Sequence, residues 1–364
     1  MNKRFFGGPA AAVLAGWTFV SFAAVLAAPP PAAAGDSGGV KIGFSLSGGL
    51  GFINGGDFNT YIRDWNRFVS DENRSWGEEY YTIDWKEMKS MPDFKGEIFA
   101  RFGRNFGLGL GVETIKKSNP GTIANEYSFA SRVDYPTYYI EHAWHENLEM
   151  AVDQTLSVIP LTLGLYYFLP LGPQGDIYFN AGAGVYLGTL KSNLDWSAQW
   201  GSYEEFHLPD GSLYPPHIKS DSKSTQNDYY EATCNAVGFH FGAGAQFPLT
   251  GNISVFGEAL YRLVNFKDWE GTAGHEYTCR GDYGWWTGNE WYTHVIIDDG
   301  YAGEWPGSLW YSEDDSPMID AAYSDVGLYK EKPKQTSWRD NIRPAEINLN
   351  GFFIRVGIKI FFGL

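Results

Sequence analysis

A chain of 364 residues with a formal net charge of −16 is far too acidic for general nucleic-acid binding, which needs a basic surface to displace the counterions of phosphates. Its mean hydropathy is negative, which excludes a bundle of membrane helices. At 44 glycines, 17% aromatics and 19% charged residues, it also departs from the roughly 25% charge of ordinary globular domains.

The first stretch, with Lys3 and Arg4 ahead of the apolar run Ala10 to Ala28 and small residues after it, has the layout of a secretory signal peptide. Cleavage after Ala34, or alternatively after Ala27, makes residues 1–34 a removed leader and 35–364 a single domain. A retained anchor is the competing reading, and Pro29 to Pro31 speak against it. Export takes Cys234 and Cys279 out of the reducing cytosol. An even count there leans toward a disulfide, with two free thiols as the alternative.

Val40 to Phe52 then separates by alternate residues into Val40, Ile42, Phe44, Leu46, Leu50 and Phe52 on one side and lysine, serine and glycine on the other. A period of two belongs to a strand, whose successive side chains point to opposite faces. The same alternation recurs in Asp93 to Gly103, Phe106 to Lys116, Gln154 to Leu169, Asp176 to Leu190, Cys234 to Phe247, Ile253 to Phe266 and Phe352 to Leu364. Pro160 removes a ladder donor inside one of them, so a local bulge is expected there. Short turns, Gly103 to Asn105, Pro170 to Gly175 and Pro248 to Asn252, join three pairs, and long connections follow the first, third, fifth and seventh strands. A strand with one apolar face and a second face carrying Arg355 and Lys359 suits lipid outside and a polar lumen inside. The expectation is an all-β fold, an eight-stranded antiparallel up-and-down transmembrane β-barrel with long extracellular loops. Ten strands is the alternative if the last connection hides two more.

The leader, the hairpins IPLTLGLYYFLP and FGAGAQFPLTGNISVFGEALYR, and the terminal strand FFIRVGIKIFFGL together resemble the small bacterial outer-membrane barrels of the OmpA, OmpX and OmpW-like kind. The resemblance covers the eight strands and leaves the connections unmatched. It implies a place in the bacterial outer membrane among its lipid and lipopolysaccharide. It also implies a C-terminal assembly signal, Gly357, Ile360, Phe362 and Leu364, read by the barrel assembly machinery. Two residues follow Phe362 here, where the family usually ends on the aromatic residue itself.

The face assigned to the lumen carries Glu97, Arg101, Glu113, Glu258, Arg262, Arg355 and Lys359. Eight strands enclose a space that side chains nearly fill, so these charges are expected to pair and plug the lumen, Glu258 with Arg355 foremost. A gated ion path is the sharper alternative. The long connections hold every tryptophan of the 14 except Trp17, which suits either a packed external cap or an aromatic surface for an extracellular ligand. The last connection is acidic, with Asp298, Asp299 and Glu313 to Asp315. Its spacing matches no EF-hand, so a solvated loop is expected rather than a calcium site. His142 and His145, beside Glu141 and Glu146, lack the frame of a metal site or of a catalytic triad. The expectation is therefore no enzyme, no cofactor and no metal. The expected role is structural or cell-surface interaction work behind a narrow or plugged lumen. A porin-like channel, or a transporter for small hydrophobic molecules, is the alternative, with Tyr166, Phe168, Tyr178 and Tyr186 facing inward.

Overall fold

The computed structural model describes residues 39–76, 80–213, 217–286, 291–316, 321–337 and 339–363. The expected leader, Met1 to Ala34, and the last residue of the expected assembly signal, Leu364, lie outside them. In chain order the elements are β1 (Val40–Ile53), the helix α1 (Asp57–Trp76), β2 (Thr82–Trp85), β3 (Ser90–Phe102), β4 (Phe106–Asp134), β5 (Tyr139–Pro170), β6 (Asp176–His207) and β7 (His217–Pro248). There follow β8 (Ile253–Phe266), β9 (Glu270–Trp286), β10 (Trp291–Ser316), β11 (Ala321–Tyr329), β12 (Arg339–Pro344), β13 (Ile347–Asn348) and β14 (Gly351–Gly363).

Eight of these close into an antiparallel ring, β1, β3, β4, β5, β6, β7, β8 and β14, with β14 returning to β1. They are the eight alternating stretches of the sequence. The β3–β4 turn needs Gly103, whose φ of +61° is left-handed. Pro160 lies inside β5 with an unbroken register, Pro160 opposite Tyr186, so no bulge forms there.

Outward-facing positions of the ring are apolar and exposed: Phe44 and Leu46 on β1, Leu108 and Leu110 on β4, Leu163 and Leu165 on β5, Val237 and Phe239 on β7, Ile354 and Val356 on β14. The same outer face turns polar at one level. On β4 Val112 gives way to Thr114 and Lys116, on β6 Leu187 to Thr189 and Lys191, and on β7 Val237 to Asn235 and Thr233. A continuous apolar belt of this size is stable only against an apolar surrounding.

Beyond the belt the expected loops are themselves largely strand. β4, β5, β6 and β7 run on without interruption, so what reads as loop between 117 and 153 is a hairpin closed by Tyr135 to Tyr138. The last connection holds β9, β10 and β11, but none joins the ring. β7 is antiparallel to β8 from Gly238 to Pro248 and to β9 from His217 to Thr233. β8 and β9 thus form one strand line broken at Lys267 to Trp269, where Asp268 has a φ of +58°. At that break β14 pairs with the lower part, and β10 with the upper.

The helix was hidden in the first long connection. Its positions 58, 62, 65 and 69 follow the helical period and put Phe58, Ile62, Trp65 and Val69 into one core with Ile115, Ile123, Val152, Leu156, Leu309 and Leu328. A second stripe, Asn59, Asn66 and Asn73, recurs every seven residues and clips the main chain between Tyr81 and Met88. Asn59 donates to the Met88 carbonyl at 3.0 Å and accepts from its N–H at 2.7 Å. Asn66 donates to Trp85 at 2.8 Å, and Asn73 both donates to and accepts from Tyr81. An unpaired strand edge exposes main-chain donors and acceptors, and these three amides cover one. At the helix start Asp57 takes a bidentate hold from Arg343, at 2.5 and 2.7 Å.

The expected disulfide is not formed: Cys234 and Cys279 are both free and buried. Cys279 sits opposite Ser224 on β7, ten positions from Cys234, which at about 3.3 Å per residue is roughly 33 Å. A bridge needs Cα atoms within about 7 Å. The protein unfolded without reductant should therefore alkylate at both thiols; a cross-linked peptide pair in the mass spectrum would contradict the register. Changing Ile62 to alanine should cost about 2–5 kcal/mol of helix docking. Limited proteolysis should then cut sooner between Asp57 and Trp85, while the heat-modifiable gel migration of the ring is retained.

Candidate functional site

Inside the ring, the inward positions of neighbouring strands meet because antiparallel registers bring residues of one parity to one face. Arg355 on β14 is the hub. Its Nε donates to Asp93 on β3 at 2.6 Å, one terminal nitrogen to Glu113 on β4 at 2.6 Å, and the other to Glu258 on β8 at 3.3 Å. Arg262 also reaches Glu113, at 2.5 Å, with its guanidinium 4.1 Å from the Phe353 ring centre. Glu258 accepts further hydrogen bonds from Tyr178 at 3.2 Å and Asn180 at 3.1 Å.

A second layer joins Lys95 to Glu97 at 2.9 Å, with the Tyr166 hydroxyl donating to the same carboxylate at 2.7 Å. Lys359 lies below it, 2% exposed. Its ammonium is 4.3 Å from the ring centre of Tyr178 and 4.7 Å from that of Phe256, with Tyr166, Phe99 and Phe168 slightly farther. Gln246 takes one of its hydrogens at 3.4 Å. At the short-turn end Arg101 makes a two-point contact with Asp176 at 2.7 and 3.1 Å and covers the Phe168 ring. Five carboxylates, Asp93, Glu97, Glu113, Asp176 and Glu258, thus face five cations, Lys95, Arg101, Arg262, Arg355 and Lys359. Burying one charge without its partner costs several kcal/mol; ion pairs spare Lys95, Arg101, Arg262 and Arg355 that cost, while Lys359 is met by aromatic faces and Gln246.

All seven charges that the sequence assigns to the lumen lie in this network, with Glu258 and Arg355 in direct contact. It also contains Asp93 and Asp176, which sequence reading treats as strand starts, together with Tyr166, Tyr178, Asn180 and Gln246. Their signal was their parity, shared with the charges on adjacent strands. Tyr166, Phe168, Tyr178 and Tyr186, proposed for an apolar path, do face inward; the first three pack with Phe256, and Tyr186 lies under Arg262.

Of the expected assembly signal, Gly357, Ile360 and Phe362 lie on β14. Phe362 faces out at 57% exposure. Gly357 meets β1 so closely that a Cβ there would sit 2.3 Å from the Leu46 carbonyl oxygen. Most described tryptophans outside the ring are packed: Trp85 and Trp269 are 2% and 0% exposed, and Trp65, Trp196 and Trp305 border the core. Of the acidic residues weighed for calcium, the side chains of Asp298, Asp299, Asp314 and Asp315 lie outside the described ones. His142 is 4.0 Å from Glu204. Among the described residues the donor set that can hold a metal ion is a different one, Glu141, Glu205 and His207 at the far end of β5 and β6.

Among curated proteins none matches the chain. Among solved structures, the crystal structure of the outer membrane protease OmpT from Escherichia coli is similar at 10% identity and a TM-score of 0.25, with 89% of this chain and 95% of that one covered. A likeness this slight says nothing of activity. The family model for the outer membrane protein beta-barrel domain matches residues 20–284, well over half of the sequence, and the chain belongs to that family.

Proposed function

We propose that the ring spans the bacterial outer membrane as a closed eight-stranded barrel and that the strand extension above it works at the cell surface as an interaction scaffold. The observation that carries this reading is the matched network of ten charges across the lumen, with Arg355 and Arg262 each 1% exposed. An ion path needs a continuous wet lining, and here Arg355 is held by three carboxylates, Arg262 by Glu113 and Lys95 by Glu97 in a nearly dry interior. Above them the apolar core around α1 and β11 closes the extension from within.

The orientation follows from the connections. Outer-membrane barrels carry short periplasmic turns and longer extracellular segments. The ring ends of β1 and β14, Lys41 opposite Gly363, lie at the level of the β3–β4 turn, and all the long elements are at the other end. The outward apolar belt is the lipid-facing band, about 25 Å tall in such barrels. Catalysis has no part in this reading, nor does a bound cofactor. Transport of small hydrophobic molecules fits less well, because the inward aromatic rings that would line a path contact one another and Lys359.

The membrane assignment is tested by two arginines on one strand and one face. Leu110→Arg, within the belt, should lower the yield of assembled barrel, since a charge at mid-bilayer costs about 2–4 kcal/mol. Thr122→Arg, farther along β4 on the same outer face, should assemble normally. Equal yields would sink the assignment of the belt to lipid. In planar bilayers the purified full chain should show no steady current; stable single-channel openings would overturn the closed-lumen reading.

A further inference from the structure

Between the strand wall of the extension and the helix α1 with β10 and β11 lies a cavity of about 320 Å3. Its wall comes from β5, β6, β7 and β9, and its other side from α1, β10 and β11. This is within the size range of small-molecule sites, which favour seams between packed units. Five aromatic residues line it, Tyr61, Tyr229, Tyr230, Trp305 and Tyr329, together with the carboxylates of Asp228 and Asp325 and the imidazole of His275; neither lysine nor arginine is among its lining residues.

A second observation points to a missing donor. Gln154 lines the cavity at 3% exposure, and its carbonyl oxygen has no hydrogen-bond partner. A buried acceptor left unmatched costs about 1–3 kcal/mol. The carboxylates fix acceptor oxygens at the cavity wall: Asp228 holds His275 and, at 2.5 Å, Gln226, and Asp325 accepts from Tyr329. Burial first, and then the charge of Asp325, push the phenol pKa of Tyr61 upward. Tyr230 is likewise raised by burial and by Asp325, and its buried hydroxyl has no hydrogen-bond partner. Both phenols thus stay neutral, with Asp325 near enough to act on each.

We propose that this cavity binds a small organic cation, an ammonium or guanidinium group with N–H donors on an apolar body. The carboxylates and the Gln154 oxygen supply acceptors, and the aromatic rings supply both apolar contact and the negative π faces that attract cations. The net charge of −16 favours the approach of such a ligand. The inference rests on the surface-scaffold reading only for the side from which the cation arrives.

The test is calorimetric titration of the full chain in detergent with benzylammonium chloride, and with benzyl alcohol as its uncharged counterpart. The ammonium should bind at a single site at least about ten-fold more tightly than the alcohol, the margin of one hydrogen bond to a charged group. Gln154→Leu and Asp325→Asn should each weaken it several-fold, in protein whose heat-modifiable migration shows an assembled ring. If Gln154→Leu fails to assemble, Asp325→Asn, on the half-buried rim, decides the matter. No binding by the unaltered chain, equal affinity for the two probes, or affinity unchanged in the variants would each overturn the proposal. Since affinity is read in detergent, failure here is separate from any current seen in a bilayer.

Discussion

Main-chain N–H and C=O groups inside an apolar belt have no water to turn to, and every one must find its partner in the chain itself. The pairing of β1 with β14, from Lys41 with Gly363 to Ile53 with Gly351, is what satisfies this condition. It joins the two sequence extremes of the ring and leaves it no free edge. The partner switch along the β8–β9 line protects that closure. Because the line breaks at Asp268, β14 keeps its place beside β8 while β10 takes over above, so the added strands never compete for the ring.

The interior changes character along its length. Within the belt the lumen holds ten matched charges, and above it the inner face becomes Ile115, Ile123, Met150, Val152 and Leu156 against the helix. The two fillings answer different conditions. Eight strands leave room for little more than side chains, and glycines such as Gly109 and Gly111 opposite long partners make space for Lys95 and Glu97. Past the belt the wall is no longer closed by β1, β3 and β14, and the gap is filled by α1 between β2 and β11. There water borders the outside, and an apolar inner core is the stable choice.

The ring strands were legible because each carries a two-residue alternation and the short turns mark the hairpins. The lumen charges were legible for the same reason: parity assigns a face without knowing the partner. The connections were not. Between 117 and 153 the outer face is polar and the inner face apolar, the inverse of the ring, so Ile123, Met150 and Val152 looked like isolated apolar residues in a loop. The helix had two stripes, Phe58, Ile62, Val69 and Asn59, Asn66, Asn73, but three asparagines read more readily as turn residues. The disulfide failed because compartment and cysteine count say nothing of distance. Only the register of β7 against β9 separates Cys234 from Cys279.

The unbroken run of β5, β6 and β7 from belt to tip has a mechanical meaning. From Thr189 to His207, at about 3.3 Å per residue, β6 travels roughly 60 Å beyond the belt, hydrogen-bonded on both sides to strands that also begin in the ring. A load applied at the tip is therefore carried down the hydrogen-bonded ladders into the ring as shear, with no loop in between to absorb it. The extension behaves as a stiff mast stepped in the barrel. The tip of β6 thus stands several nanometres of strand away from the apolar belt, at a distance set by strand length.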